Sequence, residues 1–203
     1  HSSHRRQRQM CIRDRILTEG YPTYGGLGGL DLEAMAVGFE EVLNEDYLKY
    51  RLAEVRYLGE YLQQIGFHTI QPPGGHAVYI DARTTLDHIP QKQYPGHALA
   101  VEFYKSGGVR TCEIGSVMFG RWNPETKQEI PSSMELLRMA LPRRTHTQSH
   151  IDYVLEVAKE VLERKKKIRG LKITHQPPFL RHFTAGFEPC LLYTSDAADD
   201  ANC

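Results

Sequence analysis

The sequence predicts a single α/β or α+β layer, on three observations. Short apolar runs bounded by glycine or proline alternate with longer runs at helical spacing, which is the signature of strands packed on helices. At 203 residues and 40% hydrophobic content, the chain is long enough to bury one sizeable core. The most strand-like stretch, Glu135 to Arg144, is apolar around one arginine and is stopped by Pro142.

That stretch anchors the rest. As a strand buried on both faces it directs Leu137, Met139 and Leu141 one way and Leu136, Arg138 and Ala140 the other. Arg138 then sits among small or apolar neighbours, with no acidic residue on its own strand face. A charged guanidinium in such company needs an anion, either a distant carboxylate or a ligand. Counted over proteins in general, internal salt bridges are the commoner answer.

Before it, apolar residues from Leu32, Met35, Phe39 and Leu43 to Leu58, Leu62 and Ile65 recur at helical spacing from Asp31 until Gly66. Asn44-Glu45-Asp46 is the place for a break. Such a helix or helix pair suits a connector between lobes. Gly74 to Asp81 reads as a strand leaving a glycine turn, and Tyr94 to Ser106 as a helix between Pro95 and Gly107-Gly108. Val109 to Ile114 is expected as a strand and Trp122 to Pro131 as a polar loop. Ile151 to Leu162 forms an amphipathic helix with Lys165-Lys166-Lys167 at its end, and Leu171 to Thr174 a last short strand.

Charge and cysteine content narrow the function classes. Twenty-five basic and 25 acidic side chains give zero formal net charge, which argues against a dedicated nucleic-acid or membrane-surface protein. Cys11, Cys112, Cys190 and Cys203 have no metal-ligand spacing, and their scatter suits a reducing cytoplasm. No run of apolar residues is long enough to span a bilayer. His146 and His150 would share a helical face as metal ligands, but no third ligand stands nearby and His150 is better placed to open a helix. His76 follows two glycines as a strand-start residue. Lys49 and Lys105 fall on helices as solvated side chains. The glycine-rich stretch 20–29 lacks any nucleotide-binding pattern and is expected as a loop. Residues 1–15 and 190–203 resemble translated sequencing-adapter read-through and are expected not to belong to the fold.

Five strings, in order and spacing, resemble the β-eliminating lyases, the family of tryptophan indole-lyases and tyrosine phenol-lyases. They are Glu-Gly-Tyr-Pro-Thr-Tyr-Gly-Gly-Leu at 19–27, Gly-Gly-His-Ala-Val-Tyr-Ile-Asp-Ala at 74–82, Glu-Leu-Leu-Arg-Met-Ala-Leu-Pro-Arg-Arg at 135–144, Thr-Gln-Ser-His-Ile-Asp at 147–152 and Leu-Arg-His-Phe-Thr-Ala at 180–185. The resemblance implies the C-terminal part of a fold-type-I pyridoxal-phosphate enzyme. Residues 16–66 would be the end of the large domain with a connector helix. Residues 67–189 would be a small domain, a mainly antiparallel sheet covered on one side by helices.

The implied activity is β-elimination from an aromatic amino acid, giving pyruvate, ammonia and the free aromatic, with the cofactor as electron sink. The implied assembly is a homotetramer with a potassium requirement. By the same resemblance Arg138 binds the substrate carboxylate, which replaces the salt bridge favoured by residue statistics. Ile114 stands where tyrosine phenol-lyases resemble this chain but carry arginine, and His182 where they carry phenylalanine. Both favour an indole ring over a phenol, with His182 catalytic and Phe183 in the ring pocket. The Schiff-base lysine and the other cofactor contacts of the family fall upstream of 19–27, so this chain is expected to contribute no cofactor-binding residue and to be inactive alone. Tyrosine cleavage, or a non-catalytic stand-alone small domain, is the alternative.

Overall fold

The computed structural model describes residues 28–190 apart from Pro124, Lys127, Pro178 and Phe179. The expected leader at 1–15, most of the glycine-rich loop and the tail from 191 lie outside these residues. Cys190 lies within them: it is buried and its N–H donates to Gly170 O at 2.9 Å, so the packed chain runs one residue past the expected boundary.

The chain divides into two units, 1–48 and 49–203. In the first, helix α1 (Gly29–Glu41) opens where Asp31 accepts the Gly28 N–H at 3.1 Å. None of its residues is buried; Leu30 and Phe39 are 88% and 64% exposed, and Leu43 just after it is 74% exposed. The long helical run does break at the polar triplet. The Asn44 side chain accepts the N–H groups of Asp46 and Tyr47 at 2.9 and 3.2 Å, an N-cap for helix α2 (Glu45–Gln64).

The second unit is built on a three-stranded antiparallel sheet. Strand β1 (Ala77–Asp81) leads into a single turn α3 (Ala82–Thr85), then helix α4 (Pro95–Gly107) and strand β2 (Cys112–Ile114). A turn α5 (Ser116–Phe119) precedes the hairpin of β3 (Arg121–Asn123) and β4 (Gln128–Ile130). Strand β5 (Leu136–Ala140) returns to the centre of the sheet, between β1 and β2. Helix α6 (Gln148–Glu163), strand β6 (Leu171–His175), a turn α7 (Arg181–Thr184) and strand β7 (Gly186–Pro189) complete the unit, with β6 and β7 paired.

Opposed residues of an antiparallel ladder share a face. Val78 and Ile80 face with Met139 and Leu137 into the core, where they join Leu58 and Leu62 of α2, Leu99 and Phe103 of α4, and Ile151, Ala158 and Val161 of α6. Tyr57 OH donates to Asp152 at 2.7 Å and ties α2 to α6. Helix α4 starts with Pro95 and stops at Gly108 with φ 66°, as the proline and glycines foretold.

Four expectations are corrected. Strand β5 is fully buried on one face only: on the other, Leu136 and Arg138 are half-buried and Ala140 exposed, because the described residues cover that side only in part. The strand expected from Val109 begins at Cys112, where the pairing with β5 begins. The loop around Trp122 is a hairpin whose turn is made by Asn123 accepting from Glu125 and Thr126 N–H. The last strand has a partner, Gly186–Pro189, that the sequence reading lacked. Among the described residues no helix is long and apolar enough to cross a membrane.

Candidate functional site

The open face of the sheet carries the arginine. Strand β5 is paired on both sides, and Arg138 lies in register with Tyr79 on one neighbour and Cys112 on the other. On its own face the nearest carboxylate by register is that of Asp81, opposite Leu136. That carboxylate is engaged elsewhere, accepting Arg83 N–H at 3.0 Å and Thr84 OH at 2.7 Å to cap α3. Among the described residues Arg138 has neither ion pair nor hydrogen bond, and its Nε is buried without a partner. The statistically favoured internal salt bridge is absent from them.

Ile114 lies opposite Leu136, so it shares this face two pairs along the ladder from Arg138. Sequence logic therefore brought a cation and an apolar side chain together across two strands. His182 and Phe183 sit on α7, their rings 4.1 Å apart. His182 is half-buried, and burial first, then the charge of Arg181, pull its pKa down. Phe183 is 69% exposed. Neither ring touches Arg138 or Ile114 by a hydrogen bond or ring contact among the described residues.

What seats α7 is a residue the sequence reading passed over. Arg181 Nε donates to Val117 O at 2.8 Å, and its Nη2 reaches Ser116 O and the Glu129 carboxylate. The guanidinium thus fastens α7 to α5, the turn that directly follows Ile114. Tyr94 OH donates to the other oxygen of Glu129, and burial raises the phenol's pKa.

Beneath α5 lie two buried carboxyls. Glu113 accepts Val117 and Met118 N–H, each at 3.2 Å, and Glu135 accepts Ser116 N–H at 3.1 Å, the Ser116 hydroxyl and the Gln91 amide at 3.1 Å. Burial is the main cause that pushes Glu113 up to about 7, opposed by the amides and assisted by Glu135. Burial raises Glu135 as well. The adjacent glycine, Gly115, lets both acids approach: a Cβ there would stand 2.4 Å from Glu135 Oε2 and 2.6 Å from Glu113 Oε1.

The remaining candidates are placed plainly. His150 Nδ1 accepts Thr147 N–H at 3.1 Å and closes the first turn of α6. Its ring is 5.6 Å from that of His146, with no cluster of metal-ligating side chains among the described residues. Lys105 is exposed beside Glu102 at 3.5 Å, and Lys49 is exposed on α2.

Fold and site define an α+β unit that holds an anion-seeking arginine on the half-covered face of a small antiparallel sheet. The chain belongs to the β-eliminating lyases, whose family model matches residues 34–157. It is 57% identical to a tryptophanase of Salinibacter ruber over 174 residues, which is 86% of this chain and 36% of that one. It is 53% identical to a tryptophanase of Hyphomonas neptunium over 85% of this chain and 38% of the relative. A tyrosine phenol-lyase of Symbiobacterium sp. is 48% identical over 86% of this chain and 38% of the relative. The chain thus spans little more than a third of the length of the curated relatives it matches.

Proposed function

We propose that this chain is the substrate-recognising part of a lyase that releases indole, pyruvate and ammonia from L-tryptophan. One observation carries the reading: the buried, unpartnered Nε of Arg138 on a face it shares with Ile114. Arg138 binds the α-carboxylate through paired N–H donors, and Ile114 offers an apolar contact that suits an indole and cannot address a phenolic oxygen. His182, with its pKa drawn down, is mainly a neutral imidazole near pH 7 and can donate or accept at the ring side, where Phe183 adds apolar surface. Both ring specificities occur among the relatives, so the choice of tryptophan rests on Ile114 and His182.

In this reading residues 16–66 carry the end of the large domain and the connector, and 67–189 the small domain, of a fold-type-I protein. The complete protein would be a homotetramer using pyridoxal phosphate and potassium. Lys49 and Lys105 are exposed on helices α2 and α4.

The test is a chimera in which this chain replaces the matching segment of the Salinibacter ruber tryptophanase. Indole release from tryptophan is expected in preference to phenol release from tyrosine. Arg138→Ala should lower kcat/KM by roughly 100-fold or more, the scale of a lost charge-assisted pair. Preferential phenol release would overturn the choice of ring, and full activity of the alanine variant would overturn the role of Arg138.

A further inference from the structure

The β2–β5 ladder ends at the pair Cys112 and Arg138. Beyond it the two segments part: Gly107–Thr111 runs along one side and Met139–Leu141 along the other, and a cavity of about 360 Å3 lies between them. Its apolar lining includes Leu58, Met139, Ile151 and Val154. One wall is a close seam between α4 and α6, where Tyr153 OH donates to Gly107 O at 3.0 Å and a Cβ on Gly107 would strike Val157 at 2.3 Å. None of Arg138, Ile114, His182 or Phe183 lines this space.

The polar part of the lining is one-sided. It contains Arg110, His146 and His150 and no carboxylate side chain. Thr111 Oγ1, also in the lining, is buried without a hydrogen-bond partner. Because His150 Nδ1 accepts the Thr147 N–H, the ring's proton in its neutral form is on Nε2, which makes that nitrogen a donor. Apolar walls with the Arg110 cation and the Thr111 and His150 donors, and no carboxylate, at the polar end are complementary to an anion on an apolar body. The volume is at the small end for ligand sites, enough for one ring and a short chain.

We propose that this cavity binds a small carboxylate with an aromatic or branched aliphatic body, at a site separate from Arg138. The anion lies against Arg110 and the Thr111 hydroxyl, and the body against Ile151, Val154 and Leu58.

The probe is 3-phenylpropionate, titrated into the methyl-labelled 203-residue chain and followed by NMR. Saturable shifts are expected at the methyls of Leu58, Ile151 and Val154. Its uncharged amide and the Arg110→Gln variant, a change at an exposed side chain, should each weaken binding by about tenfold, whereas Arg138→Gln should leave it unchanged. The proposal is overturned if those methyls do not shift saturably, or if the amide binds as well as the acid. It is equally overturned if the shifts centre on Ile114 and vanish with Arg138→Gln, since the probe would then report the substrate face.

Discussion

Glu113 is the residue whose chemistry depends most on its surroundings. Its ordinary pKa of 4.5 is raised to about 7, so between these values the folded chain holds a proton the unfolded chain has lost. The stabilisation is fully present below the unfolded value and is lost as pH rises through about 7. By linkage the difference amounts to up to about 3 kcal/mol. Urea unfolding at pH 5 and pH 8 should therefore show a larger decline for the natural chain than for Glu113→Gln. Equal declines would mean the acid is not protonated in the fold. Gly115→Ala tests the same place by volume, because its methyl would enter the space of both carboxylates. A loss of about 2–3 kcal/mol in thermal or urea unfolding is expected for such overpacking. At this scale Arg138 could be read from the sequence, since an arginine inside an apolar strand announces its need. Glu113 and Glu135 could not, because their burial comes from Ser116, Gln91 and the α5 amides, which only the fold brings near.

Single elements were legible where they were long. Helices α4 and α6 repeat apolar residues over several turns and carry their own stop signals, and the break before α2 was marked by Asn44. The hairpins were not, because strands of three and four residues with mostly exposed side chains show no period to read. Turn α7 is the extreme case: four residues cannot sustain a helix by themselves, and Arg181 supplies the contacts that seat it. Arg181→Ala should leave the core intact yet speed amide hydrogen exchange at 181–186 by at least about tenfold. In the chimera it should raise KM for tryptophan. Unchanged exchange in that segment would show that α7 is held by something else.

For the molecule as a whole, the sequence conveyed the class, the helical cover and the central place of the strand around Arg138, but not which strands would flank it. Strand order depends on contacts among Tyr79, Arg138 and Cys112, which are far apart in the chain, and no local pattern encodes it. Exposure of apolar residues along α1 and the turn after it is likewise a property of the folded chain and not of the local pattern. Such a stripe on an isolated polypeptide favours self-association. Sedimentation is expected to show concentration-dependent oligomers, reduced when Phe39 and Leu43 are replaced by lysine. A chain that stays monomeric at about 100 μM, a concentration at which a contact of micromolar affinity would be saturated, would refute this.

The two halves of the proposed site are mounted differently. Arg138 stands on a strand laddered on both edges, while His182 and Phe183 ride on one short turn whose side-chain tie is Arg181. On that reading the head group common to all amino acids meets a fixed fitting, and the ring meets an adjustable one. A lineage could re-seat the turn to accept another aromatic without disturbing the sheet, so divergence in ring preference is mechanically cheap while loss of the carboxylate anchor is not.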